Sequence, residues 1–123
     1  MTDELALHAA LALCGGLGAG ARHALTALVT RRPPLSTLAV NVVGCFALGV
    51  GRGLLPPDIT LAGLETGRLV GGFCGGFTTF SSFAWQTLGL HRDGTPLHAL
   101  GNVAVSLLGC LAAYGAGLSL TAP

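Results

Sequence analysis

The chain has no lysine and very little charge: Asp, Glu, Lys and Arg together make 9% of 123 residues, where a soluble domain carries about 25%. Its six arginines are spread along the chain, and the net charge is +1. No basic stripe exists to hold a phosphate backbone, so DNA and RNA are excluded as partners. No Asp or Glu lies deep in any apolar stretch, and no His falls at the middle of one. Acid–base catalysis, metal hydrolysis and nucleophile–base pairs therefore lack carriers, and the chain does not read as an enzyme. The four cysteines, Cys14, Cys45, Cys74 and Cys110, never occur as C-x-x-C. That spacing fits neither a zinc site nor a disulfide framework, and each reads as a small packing residue. A signal peptide is not expected at Leu5–Leu13, because Asp3 and Glu4 stand where a positive flank would be, and Leu13 is too bulky before Cys14 for a lipoprotein site.

What is present is apolar: hydrophobic residues make 51% of the chain. A transmembrane helix needs about 20 such residues to cross about 30 Å of hydrocarbon. Four segments qualify, Leu5–Val29, Leu35–Leu55, Leu69–Leu90 and Leu97–Leu120. Arg31-Arg32-Pro33-Pro34, Pro56-Pro57-Asp58 and His91-Arg92-Asp93-Gly94-Thr95-Pro96 separate them, and proline marks each boundary. The expected fold class is all-α, with residues 1–123 forming a single integral membrane domain of four helices in a multi-pass arrangement. Arg31, Arg32, Arg92 and the nearby Arg22 stand against Arg52 and Arg68 on the second loop, a weak positive-inside bias that permits insertion both ways.

Twenty glycines cluster within the apolar segments. Gly67/Gly71/Gly75 and Gly72/Gly76, four apart, let helix backbones approach in lipid. No glycine run leads into Lys-Ser or Lys-Thr, so a phosphate loop is excluded. The third segment carries Gly75-Gly76-Phe77-Thr78-Thr79-Phe80-Ser81-Ser82-Phe83 near its midpoint. Paired glycines and adjacent threonines weaken a helix there, so a local break is expected, with freed carbonyls able to ligate a cation. Phe80 and Phe83 share a helix face, and the positive edges of two rings can favour an anion without trapping it. Ser81, Ser82 and mid-segment Asn41 add donors; Asn102 and Ser106 make a polar face on the fourth segment. Asn41 fits either a helix-to-helix bond or a pore lining. Arg22 can snorkel to water as an anchor or draw anions into a vestibule. Together these residues suit a path for a small hard anion.

Gly18-Ala19-Gly20-Ala21-Arg22-His23, Thr37–Phe46, Gly75–Phe83 and Ser106-Leu107-Leu108-Gly109 resemble the Fluc (CrcB-like) fluoride channels of microorganisms over nearly the whole chain. The resemblance implies a dual-topology antiparallel homodimer with two pores in the bacterial plasma (inner) membrane. It implies export of fluoride from the cytoplasm, relieving toxicity where the ion enters as HF and is trapped as the anion. It further implies a structural Na+ on the dimer axis, held by main-chain carbonyls matching Gly75 and Thr78. Asn41, Phe80 and Phe83 would line the pores, Ser81, Ser82 and Ser106 would join the polar track, and Arg22 would stand at the vestibule. The chain departs from the pattern at Gln86, where many relatives carry Glu, and at Asn102, where some carry Tyr. A small multidrug transporter would need a carboxylate within its first helix, and Glu4 lies too early. A purely structural membrane subunit would explain the glycines but not the Thr/Phe/Ser run.

Overall fold

A computed structural model describes residues 2–29, 33–55, 59–61 and 64–121. In chain order these form α1 (Thr2–Val29), α2 (Leu35–Leu54), β1 (Thr60–Leu61), β2 (Leu64–Glu65), α3 (Thr66–Phe77), α4 (Phe80–Arg92) and α5 (Pro96–Ser119). Arg31, Arg32 and the Pro56-Pro57-Asp58 breaker lie outside the described residues. Three helices, over Glu4–Leu28, Leu35–Leu54 and Pro96–Ser119, are long and apolar enough to cross a membrane. The apolar run expected over Leu69–Leu90 is carried by α3 and α4, of 12 and 13 residues, neither long enough to span alone.

The helix ends have local causes. Pro96 occupies the first turn of α5, where its missing N–H leaves no bond unmade. After α4, Gly94 takes a left-handed φ of 75° and its N–H donates to the His91 carbonyl at 3.2 Å, closing the helix end. The strand pair was not expected in an all-α chain. β1 and β2 pair antiparallel, Thr60 opposite Glu65 and Leu61 opposite Leu64, and the Thr66 hydroxyl donates to the Ile59 carbonyl at 2.9 Å. The exposed Arg68–Glu65 ion pair beside it, at 2.7 Å, adds little stability in water.

Glycine contacts fix how the helices pack. A Cβ at Gly49 would strike the Tyr114 carbonyl, one at Gly53 the Thr121 side chain, and one at Gly109 touches Val42. Positions on α2 and α5 thus rise together, so the two helices run parallel. The same holds for α1 and α3: Gly15 meets Gly72 and Gly76, and Gly18 meets Phe73 and Phe77. Two parallel pairs are what four segments crossing in alternate directions would give. Apart from Phe77, the buried apolar residues are small or compact, Val40, Cys74 and Ala99, while Leu13, Leu17, Trp85, Leu108 and Leu111 face outward. Mostly small residues inside and large apolar ones outside is the arrangement lipid favours, since lipid supplies no hydrophobic drive between helices.

Candidate functional site

The chain opens where α3 meets α4. The helix continues through Gly75 and Gly76 and gives way only after Phe77, with Thr78 (ψ 163°) and Thr79 (φ −147°, ψ 114°) extended. The break thus falls at the threonines of the Gly75–Phe83 run rather than at its glycine pair. Gly76 stays helical because it presses on the α1 backbone at Gly15. The threonines open because their side chains offer the backbone other bonds. Thr78 Oγ1 donates to the Cys74 carbonyl at 2.9 Å, and Thr79 Oγ1 caps α4 by accepting from the Ser82 N–H at 3.2 Å.

Asn41, on α2, secures the opened strand. Its Oδ1 accepts from the Thr79 N–H at 2.8 Å and its Nδ2 donates to the Thr79 carbonyl at 3.0 Å. One side-chain amide thus replaces both bonds that a helix would have supplied to Thr79, where unpaired backbone groups would be costly. The Thr79 N–H that would have closed on the Gly75 carbonyl is given to Asn41 instead. Asn41 is thus a helix-to-helix bond, and its Nδ2 carries a second N–H beyond it. Arg22 also turns inward: Nη1 donates to the Thr78 carbonyl at 3.1 Å, so its guanidinium braces the break as well as bordering a cavity.

Two cavities flank the Asn41–Thr79 clamp. One, of about 220 Å³, brings together Asn41, Phe80, Phe83 and Ser106 with Cys45 and Cys110. The Phe80 and Phe83 rings lie 5.7 Å apart and tilted by 50°, not stacked, and Phe80 is 79% exposed. The second, of about 330 Å³, is polar, and Arg22, Ser36, Thr37, Ser82 and Gln86 border it. Thr79 borders both. Gln86 Nε2 donates to Thr37 Oγ1 at 2.8 Å, while its buried Oε1 has no protein partner. Ser81 is exposed and belongs to neither cavity; its hydroxyl lies 3.2 Å from Thr79 Oγ1. Asn102 and Ser106 separate as well: Asn102 Nδ2 donates to Thr87 Oγ1 at 2.8 Å, and Ser106 is buried at the first cavity.

Sequence reasoning missed Thr79, the residue on which Asn41, Ser81 and Ser82 all converge. The signal was there, since a threonine three residues before Ser82 at the start of an apolar run reads as a helix N-cap. It also missed Thr37, whose partner lies 49 residues away and leaves no local trace.

The sequence profile described as "CrcB-like protein, Camphor Resistance (CrcB)" matches residues 9–118. The "Fluoride-specific ion channel FluC" of Opitutus terrae is 44% identical over 92% of this chain and 90% of its own length. The protein of the same name from Azotobacter vinelandii is 43% identical over 91% and 94%. That of Pseudomonas syringae pv. syringae is 49% identical over 70% and 69%. With three described helices able to span a bilayer and ion channels among its relatives, the chain is a multi-pass bacterial membrane protein and belongs to the CrcB-like family.

Proposed function

We propose that the chain is one subunit of a fluoride channel in the inner membrane, in which α3 and α4 together make the third of four spans, broken near mid-membrane. The observation that carries this reading is the cavity where Asn41, Phe80, Phe83 and Ser106 converge beside the opened helix. Fluoride is small and strongly hydrated, so each water it loses must be replaced by a donor or a positive edge. The second N–H of Asn41, the Ser106 hydroxyl and the edges of two tilted rings are such replacements, and none is a fixed cation that would hold the ion too tightly. Arg22, Ser82 and Gln86 border the polar antechamber on the other side of the clamp, where the Arg22 charge raises the local concentration of anions. Ser81 extends the polar track at the exposed start of α4. Net movement is export, because fluoride that enters as HF ionises inside and leaves through the pore down its gradient.

Two copies in opposite orientation complete the assembly. The Gly67, Gly71 and Gly75 positions would admit a Cβ without touching any of the described residues, and Phe80 stands exposed nearby. A structural Na+ fits this break in one respect: the Gly75 carbonyl has given up its helical partner, and the Thr78 carbonyl has a second lone pair beyond its bond to Arg22. Two carbonyls are few for a cation, and a two-fold related copy doubles them. Sodium would then lock the interface between subunits and take no part in the anion path.

Liposomes loaded with fluoride and reconstituted with the protein should release it far faster than protein-free vesicles, while chloride-loaded ones should not empty. Equal fluoride retention with and without protein would refute the reading. Exhaustive exchange of Na+ for a bulky organic cation should slowly stop the efflux; unchanged efflux would remove the sodium.

A further inference from the structure

A pair of thiols forms a second cluster of reactive side chains that the anion path does not use. Cys45 lies on α2 one turn beyond Asn41, and Cys110 lies on α5 one turn beyond Ser106. Because α2 and α5 run parallel and pack closely, the two steps go the same way, and both thiols come to line the same cavity. Both are free and half-buried, and both line the cavity that holds Phe80 and Phe83. The helices cannot drift apart there without unpacking, since Gly109 rests on Val42 just before the pair and Gly49 meets Tyr114 just after it.

The donor set selects the ligand. Structural zinc takes four ligands, and among the described residues no three His, Cys, Asp or Glu converge. Two sulfurs bordering one cavity suit a soft d10 cation that is satisfied by two ligands, such as mercuric, silver or cuprous ion. The mercuric bis-thiolate is also neutral, so forming it leaves no net charge in an apolar cavity. We propose that Cys45 and Cys110 form a two-thiol site for a soft, two-coordinate cation, and that filling it obstructs the cavity shared with Phe80 and Phe83. With mercuric chloride, two S–H and two Hg–Cl bonds break, two S–Hg bonds form, and two protons and two chlorides leave; nothing is oxidised or reduced. The obstruction rests on the channel reading, whereas the binding does not.

The full chain is treated with one equivalent of mercuric chloride, then with a maleimide, and the protected cysteines are located by peptide mass mapping. Cys45 and Cys110 should be protected together while Cys14 is alkylated, and either Cys45→Ser or Cys110→Ser should lose protection at the remaining partner. Protection of Cys14 or Cys74 instead, or of one member of the pair alone, would overturn the site. This mapping needs only the unaltered chain, so a variant that fails to fold does not leave the question open. In fluoride-loaded liposomes the same treatment should stop efflux through the parent and leave each serine variant at its own mercury-free rate. A block that persists in both variants would overturn the obstruction. Fluoride efflux no faster than from protein-free vesicles before treatment would instead refute the channel reading, and the mapping would still decide the site.

Discussion

Two faces of α3 carry glycines at the same four-residue spacing, and their surroundings are opposite. A Cβ at Gly76 would strike the Gly15 backbone, and one at Gly72 would touch Leu11 and Cys14; at Gly67, Gly71 and Gly75 it would meet none of the described residues. The first face is glycine because another backbone of the same chain is already there. The second is open in the single chain, and continues past the break to exposed Phe80. One helix thus has a closed side that fixes the subunit and a side open among the described residues, and if a partner covers the second, a single methyl group should have opposite effects on the two.

The largest effect is expected on the closed face. Gly76→Ala puts a methyl group into the α1 backbone, where no flexible side chain can yield. The cost should reach the upper end of the roughly 1–3 kcal/mol typical of overpacking. Thermal unfolding in detergent should show it as a clear loss, and a midpoint equal to the parent's would mean that α1 and α3 are not so closely packed.

Asn41→Asp should come next, since Asn41 holds the break to α2. The carboxylate can still accept from the Thr79 N–H, but its second oxygen faces the Thr79 carbonyl, so the donor there is lost. An unsatisfied buried group costs about 1–3 kcal/mol, and the new negative charge should also stop fluoride. A variant with parental stability and parental flux would show that the amide neither clamps nor lines the path.

Phe80→Ile tests the open side at the pore. The side chain is 79% exposed in the single chain, so stability should change by less than about 1 kcal/mol, as for a hydrophobic swap that strains nothing. The ring edge disappears, however, and fluoride flux should fall sharply. A folded Phe80→Ile that conducts at the parental rate would take the ring out of the mechanism.

How much of this was legible in sequence differs by residue for physical reasons. The three long spans were legible because length and apolarity alone define them. The mid-segment depth of Asn41 and of the Phe80–Phe83 run was legible from their place in the apolar segments, whereas the grouping of Ser106 with them came from the family resemblance. The exact place of the break did not, because glycine propensity and threonine side-chain bonding pull the same way, and only the contact of Gly76 with Gly15 decides between them. The strand pair at Thr60–Glu65 is two residues long on each side and leaves no periodicity to read. Arg22 could be placed near an end of its helix, but its turn toward the Thr78 carbonyl depends on a residue 56 positions away. The two glycine faces were indistinguishable, since spacing says that backbones can approach and not which backbone does.

Gly71→Ala is the smallest change and the sharpest test of that distinction. Within the chain the new methyl group meets open space, and alanine in place of glycine in a helix interior is favourable by up to about 1 kcal/mol. The isolated subunit should therefore unfold no earlier than the parent, and slightly later if anything. In an assembly that brings a partner's backbone against this face, the same methyl group intrudes, and close approach through small residues is lost. Dimer formation in liposomes, read by cross-linking at increasing dilution in lipid, should then fail at protein densities where the parent is still paired. The two readouts move in opposite directions only if the open face is an interface. If Gly71→Ala pairs as the parent does, the two copies meet elsewhere, and the open glycines of α3 are simply covered by lipid.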